Sequence, residues 1–281
     1  MFFVPGPTSP LGGSLPPGAS ELVALAEQVK AYLGLRTYIT GVKLLGPDEE
    51  IPRGFRRPLR DFGAKLPACR ALNVARTYGW PVAQTVEDML CVIGAAAFGM
   101  VEEPGYIYDS GLVGQHARNE EVARELHKAL LDRFLEPGSC SAILFAPMRK
   151  PTVEPDILVA YGTPTQVALM LKALAWSGVL AKMEFVGIAS CSAITYVVKK
   201  EEATASLPCA GERLLGLTEE GEAWLAMRAE LLPQLAEGLK AVRRIFPYPP
   251  IKPLEEPRTP SWYPMRLEDY EEWLRKRRSS R

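Results

Sequence analysis

The sequence holds two histidines, no Cys-x-x-C pair, and acidic and basic residues in equal number, 33 of each. Each shortage removes a class of function. So little histidine leaves few imidazole ligands or general bases, and without Cys-x-x-C the usual local mark of a zinc ribbon or redox dithiol is missing. A net charge of zero gives no general field for gathering nucleic acid or anionic lipid. No apolar run approaches the ~20 residues that span a bilayer, so no membrane role is expected. Neither Gly-x-Gly-x-x-Gly nor a Walker phosphate loop occurs, so nucleotide binding has no motif behind it. The opening stretch MFFVPGPTSP lacks a basic region followed by an extended apolar one, and the expectation is a cytoplasmic chain.

What the chain has in excess is proline, 25 residues in 281. Prolines between elements reduce the entropy of the unfolded chain, which suits a heat-adapted source. Disulfides are rare in the mesophilic cytosol but occur in hyperthermophiles, so they stay open as an alternative for the cysteines.

Three regions follow from composition. Residues 1–19 are rich in Pro, Gly and Ser and read as a flexible arm. Residues 20–245 read as a single α/β body with room for two lobes. Residues 246–281 form a strap with seven prolines between 247 and 264, then a short helix, RLEDYEEWLRKRR. The strap's aromatic residues, Trp262, Tyr263, Tyr270 and Trp273, suit a homo-oligomer contact or a self-docked tail. Within the body, Ser20 is read as a helix cap and Gly34 as its stop. Strands are expected at 38–45, 141–148, 156–162 and 183–189, and helices at 68–79, 91–100 and 119–134. Thr163, Pro164 and Gly178 mark the ends of another helix. Residues 218 to about 245 carry a leucine stripe at helical spacing and read as one helix kinked at Pro233. The order from 156 to about 200 reads as a βαβ unit with a parallel strand pair, surrounded by outer helices. In such a unit, ligands sit beyond the carboxyl ends of the strands. That places Thr163, Ser190, Ser192 and Cys191 at one candidate edge.

The five cysteines are Cys69, Cys91, Cys140, Cys191 and Cys209. Four of them stand at a helix start or a turn: LPAC, CVIGAAAFGM, ASCSAI and LPCAGER. A helix start presents N–H groups to sulfur and lowers the thiol pKa. Four converging thiolates would hold an iron–sulfur cluster or zinc. Cys140 leads an apolar strand and reads as core. The plainer reading of all five is as small buried hydrophobes.

The stretches LPACRALNVARTYGWPVAQTVEDMLCVIGAAAFGM, PDILVAYGTPTQVALMLKALAWSG, CSAITYVV and LPCAGER resemble the domain-of-unknown-function 169 family, frequent in archaea and anaerobic bacteria. The resemblance covers residues 20 to about 245. Its recurring marks fall on Cys69, Cys91, Gly94, Asp156, Pro164, Cys191, Cys209, Gly211 and Arg213. Cys140 has no counterpart. The family carries no activity over. What the resemblance implies is a grouping of Cys69, Cys91, Cys191 and Cys209, with Arg213 beside them.

Two further readings stay open. A nucleophilic Cys191 would need a base from His116 or His127, of which His127 reads as a helix-surface residue. A small anionic ligand would suit Arg53, Arg56, Arg57, Arg60, Lys65 and Arg70, a basic run countered by Asp61.

Overall fold

The computed structural model describes residues 19–103, 105, 117–149, 152–183, 189–199, 203–242 and 267–279. Among them, seven strands form one sheet: β1 (Thr40–Leu45), β2 (Val82–Thr85), β3 (Ala142–Pro147), β4 (Ile157–Gly162), β5 (Lys182–Met183), β6 (Ala203–Ser206) and β7 (Ala223–Arg228). Their order is β2-β3-β1-β4-β7-β6-β5. Neighbours run antiparallel except β5 and β6 at one edge. The fold is mixed α/β with a parallel pair in the second half, as the sequence led us to expect.

Both faces of the sheet are covered by helices. Helices α1 (Ala19–Leu33), α5 (Pro164–Trp176) and α8 (Leu232–Val242) cover one face, where Leu33, Val167, Met170, Leu235 and Leu239 pack on Leu158 and Leu225. Helices α2 (Ala68–Tyr78), α3 (Val92–Ala97) and α6 (Ser192–Lys199) cover the other, where Leu72, Ala95 and Ile194 pack on Phe145, Tyr161 and Trp224. Side chains alternate along a strand, so Leu158 and Leu225 enter the first core while Tyr161 and Trp224 enter the second. The remaining described α-helices are α4 (Glu120–Leu131), α7 (Ala210–Leu214) and α9 (Leu267–Ser279).

Thr163 caps α5 reciprocally: its Oγ1 accepts from Gln166 N, and Gln166 Oε1 accepts from Thr163 N at 2.7 Å. Gln166 Nε2 also donates to Leu33 O at 2.8 Å, tying the end of α1 to the start of α5. Helices α5 and α8 cross closely. A Cβ at Gly238 would lie 2.2 Å from Ala173 O, so only glycine lets the backbones approach this far.

The sequence reading needs four corrections here. Residues 223–228 are strand β7, not part of a kinked helix, and α8 begins only at Leu232, with Pro233 in its first turn. The run AWLAMR lies between β4 and β6 with its first five residues buried, and a strand buried on both faces shows no alternation to betray it. The parallel pair is β5–β6, joined through α6. Strand β4 instead pairs antiparallel with β1 and β7. Helix α1 starts at Ala19, so Ser20 lies within it rather than capping it. Strand β5 covers Lys182–Met183, and residues 184–188 of the expected strand lie outside the described residues. Residues 1–18 of the expected arm and 246–266 of the expected strap lie outside them too, while α9 occupies the expected terminal position.

The edge argument survives the change of partners. With β7 antiparallel to both β4 and β6, and β6 parallel to β5, strands β4, β5 and β6 all run the same way. The turn at Ser190–Cys191 and the turn at Cys209 therefore follow strands that end at one edge.

Candidate functional site

Four chain segments deliver one cysteine each to the face of the sheet covered by α2, α3 and α6. Cys69 lies in the first turn of α2. Cys91 is the N-cap of α3, its Sγ accepting from Gly94 N at 3.5 Å. Cys209 is the N-cap of α7, its Sγ accepting from Glu212 N at 3.4 Å. Cys191 sits in the turn entering α6. Ser, Thr, Asp and Asn are the usual N-caps, so a thiol in that place twice is unusual. Ala189, just before this turn, holds φ at 52°, a left-handed conformation that costs a non-glycine residue energy.

Contacts across the segments bring these cysteines together. A point at Gly94 where a Cβ would stand is 3.9 Å from Cys91 Sγ and 4.0 Å from Cys191 Sγ. Cys69 and Cys191 line one small void of about 10 Å3 with Glu212, Tyr161 and Trp224. Cys69 packs against the turn after α7, 3.1 Å from the Cβ position of Gly216. Ser190 Oγ stands 3.4 Å from Cys209 Sγ. All five cysteines are free thiols. Cys140 stays apart, buried in the core with its Sγ on Ala142 O.

A buried carboxyl, Glu212, stands among the thiols at 1% exposure. Tyr161 Oη donates to its Oε1 at 2.5 Å and Thr218 Oγ1 to the same oxygen at 3.2 Å, while Ser190 Oγ donates to Oε2. Burial pushes its pKa up despite these hydrogen bonds and the nearby Arg76. The Arg76 guanidinium lies 4.0 Å over the Tyr161 ring and forms a two-pronged pair with Glu222 at 2.6 and 2.7 Å. Burial would raise the Glu222 carboxyl, but the Arg76 hydrogen bonds hold it below its ordinary range. A column of groups thus runs from Glu222 through Arg76 and Tyr161 to Glu212 and the thiols. Asn73 fixes the turn beside it, donating to Gly216 O at 2.7 Å and Leu217 O at 3.2 Å.

Burial pushes the Cys69, Cys91 and Cys191 thiols above their ordinary range. After burial the contributions to Cys69 are Glu212, Cys209 and Cys91, and to Cys191 they are Cys91, Cys69, Cys209 and Glu212. Each thiol thus opposes ionisation of its neighbours. The helix-start expectation of lowered thiol pKa is overturned for these three, because desolvation and like charge outweigh the backbone N–H groups. Burial therefore favours the protonated thiols, and an added positive charge would favour the thiolates. Among the described residues, no three His, Cys, Asp or Glu side chains stand as a single metal ion would require.

The other expected site residues are distributed differently. Ser190 belongs to the thiol site through Cys209 and Glu212. Ser192 is buried at the start of α6, its carbonyl accepting from Thr195 Oγ1. Thr163 caps α5, a helix of the opposite layer. Arg213 turns to the carbonyls of Glu219 and Glu220. In the basic run, Arg57 is engaged by Asp88 and Thr85, Arg60 by Asp61 and Phe55 O, and Arg56 stacks on Trp80 at 4.3 Å. His127 is buried and hydrogen-bonded to Glu103, not a helix-surface residue. His116 lies outside the described residues. Sequence reasoning missed Glu212, Tyr161, Trp224 and Arg76. The one local signal was the acidic residue three places after Cys209, where a capping partner belongs.

Among the described residues no helix is long and apolar enough to cross a membrane. No curated protein and no solved structure matches the chain. The DUF169 family, "Uncharacterised ArCR", matches residues 28–238, a span that takes in all four cysteines of the site. The chain belongs to the DUF169 family.

Proposed function

We propose that this is a redox or metal-binding protein in which Cys69, Cys91, Cys191 and Cys209 are thiolate ligands, with an iron–sulfur cluster as the group they hold. The observation that carries the reading is the convergence of four thiols from four separate segments, while Cys140 is left in the core. The raised pKa values of Cys69, Cys91 and Cys191 argue in the same direction. A nucleophilic or disulfide-exchanging cysteine works as a thiolate, and these thiols resist ionisation until a cation is present.

Cluster and zinc differ in spacing. Zinc draws four sulfurs to about 2.3 Å from one centre, whereas a four-iron cluster takes one thiolate on each iron and leaves the sulfurs farther apart. The cluster is the first candidate because ligation by four thiolates without histidine suits it. The void between Cys69 and Cys191 admits one water-sized atom, so loading requires these side chains to turn away from it. The competing reading, a metal-free anion site, loses support because Arg57 and Arg60 already have partners and Arg56 stacks on Trp80.

The test is the iron and acid-labile sulfide content of full-length protein purified without oxygen, with its visible spectrum. Iron and sulfide in similar amounts, with a broad visible absorption, are expected. Zinc without sulfide would leave a four-thiolate site but end the redox reading. A colourless, metal-free protein that takes up neither iron nor zinc would overturn the proposal.

A further inference from the structure

Helix α2 ends, at the far end from Cys69, in an exposed aromatic surface. Tyr78 and Trp80 are 54% and 39% exposed and stack on each other with ring centroids 5.1 Å apart. Phe62 stacks beyond Trp80 at 6.4 Å. Gly79 holds φ at 70°, and a Cβ there would stand 3.2 Å from the Tyr38 ring, so glycine lets Tyr38 close onto the same row. Cations lie on the rings: Arg56 over Trp80 at 4.3 Å and Lys30 over Tyr38 at 5.3 Å. Leaving large rings in water costs free energy, and an exposed cluster of them marks a contact surface.

Residues 247–264, outside the described residues, read PYPPIKPLEEPRTPSWYP. Pro247, Pro250 and Pro253, and again Pro257 and Pro260, recur every three residues, the repeat of a polyproline II turn. Such a sequence loses little freedom on binding and suits aromatic-lined surfaces. Its adjacent carboxylates, Glu255 and Glu256, complement the cations Arg56 and Lys30. The course from α8 to the rings is marked out on the surface. Lys240, near the end of α8, lines one groove with Gln28 and Tyr32 of α1, and α1 carries Lys30 onto Tyr38. Residues 243–266, fully extended, reach on the order of 70 Å, ample for that course. A segment tethered so close meets the surface at an effective concentration on the order of millimolar, which favours it over a free partner. We propose that the Tyr78–Trp80 surface is the docking site of the proline-rich segment 247–264 of the same chain, its prolines on the rings and Glu255 and Glu256 toward Arg56 and Lys30. The docking requires no group at the thiols.

The experiment uses the full-length protein with the photoreactive p-benzoylphenylalanine in place of Tyr78. Irradiation is expected to give a crosslink within one chain, mapped by mass spectrometry to residues 247–264. Trypsin gives a second readout without the photoprobe. Lys252 precedes proline and resists trypsin, so the cleavable bond in the segment follows Arg258. Tyr78→Ala should speed cleavage after Arg258 roughly tenfold by removing an aromatic anchor. Trp176→Ala, which removes an equally exposed ring at the end of α5, should leave the rate unchanged. A crosslink joining two chains would make the surface an interface between copies and overturn the proposal. So would a crosslink elsewhere in the chain, no crosslink at all, or a cleavage rate that Tyr78→Ala leaves unchanged.

Discussion

At the scale of single residues, the most consequential group outside the thiols is Arg76, at 3% exposure with its guanidinium on Glu222. A buried ion pair adds little net stability over apolar residues of the same shape, but removing one partner leaves the other's charge stranded. Arg76→Met should therefore cost about 3–5 kcal/mol, measured as a shift in urea midpoint with unchanged slope. A loss below about 1 kcal/mol would match a surface pair instead and contradict the burial argument. Replacing both partners together should cost less than the Arg76 change alone. This pair was not legible beforehand, because its partners are 146 residues apart and nothing local marks either. The helix-start or turn positions of Cys69, Cys91, Cys191 and Cys209 were legible, because each stands beside a local signal of its own. Their pKa direction was not, since desolvation depends on neighbours from other segments.

At the scale of elements, two glycines separate packing from site. Gly238 lets α8 cross α5, and a Cβ there would meet Ala173 O at 2.2 Å. Gly216 lies under Cys69, and a Cβ there would meet Glu212 O at 2.4 Å and Cys69 Sγ at 3.1 Å. Either alanine should destabilise by about 1–3 kcal/mol through overpacking. Only Gly216→Ala should also lower bound metal per folded chain, because it displaces Cys69 and the α7 backbone. Equal metal content in the two variants would contradict the placement of Cys69 in the site. Element reading from sequence worked where periodicity or caps were clear, as in α2, α4 and α5. It failed at β7, whose short apolar run fits a helix stripe as well as a central strand. The parallel pair was assigned to the wrong strands because strand order depends on long-range pairing. The shared edge was nevertheless found, because β4, β5 and β6 share a direction.

At the scale of the whole molecule, the buried thiols set a pH dependence. Thiols in the unfolded chain ionise near 9.0, while Cys69, Cys91 and Cys191 in the fold hold their protons to higher pH. The unfolded state then binds fewer protons, so the stability of the metal-free protein is intact below pH 9 and falls as pH rises above it. Serine at these three positions should flatten that alkaline decline in a melting-temperature profile; an unchanged decline would show that the thiols are not buried as described. Metal binding runs the other way, releasing thiol protons and strengthening as pH rises. The central claim is that Cys69, Cys91, Cys191 and Cys209 act as one site and Cys140 does not. The most direct test is bound iron per chain, measured after anaerobic loading of five single cysteine-to-serine variants alongside the unsubstituted protein. The account predicts a large loss in each of the four and retention in Cys140→Ser. Equal retention in all five, or loss in Cys140→Ser alone, would contradict it.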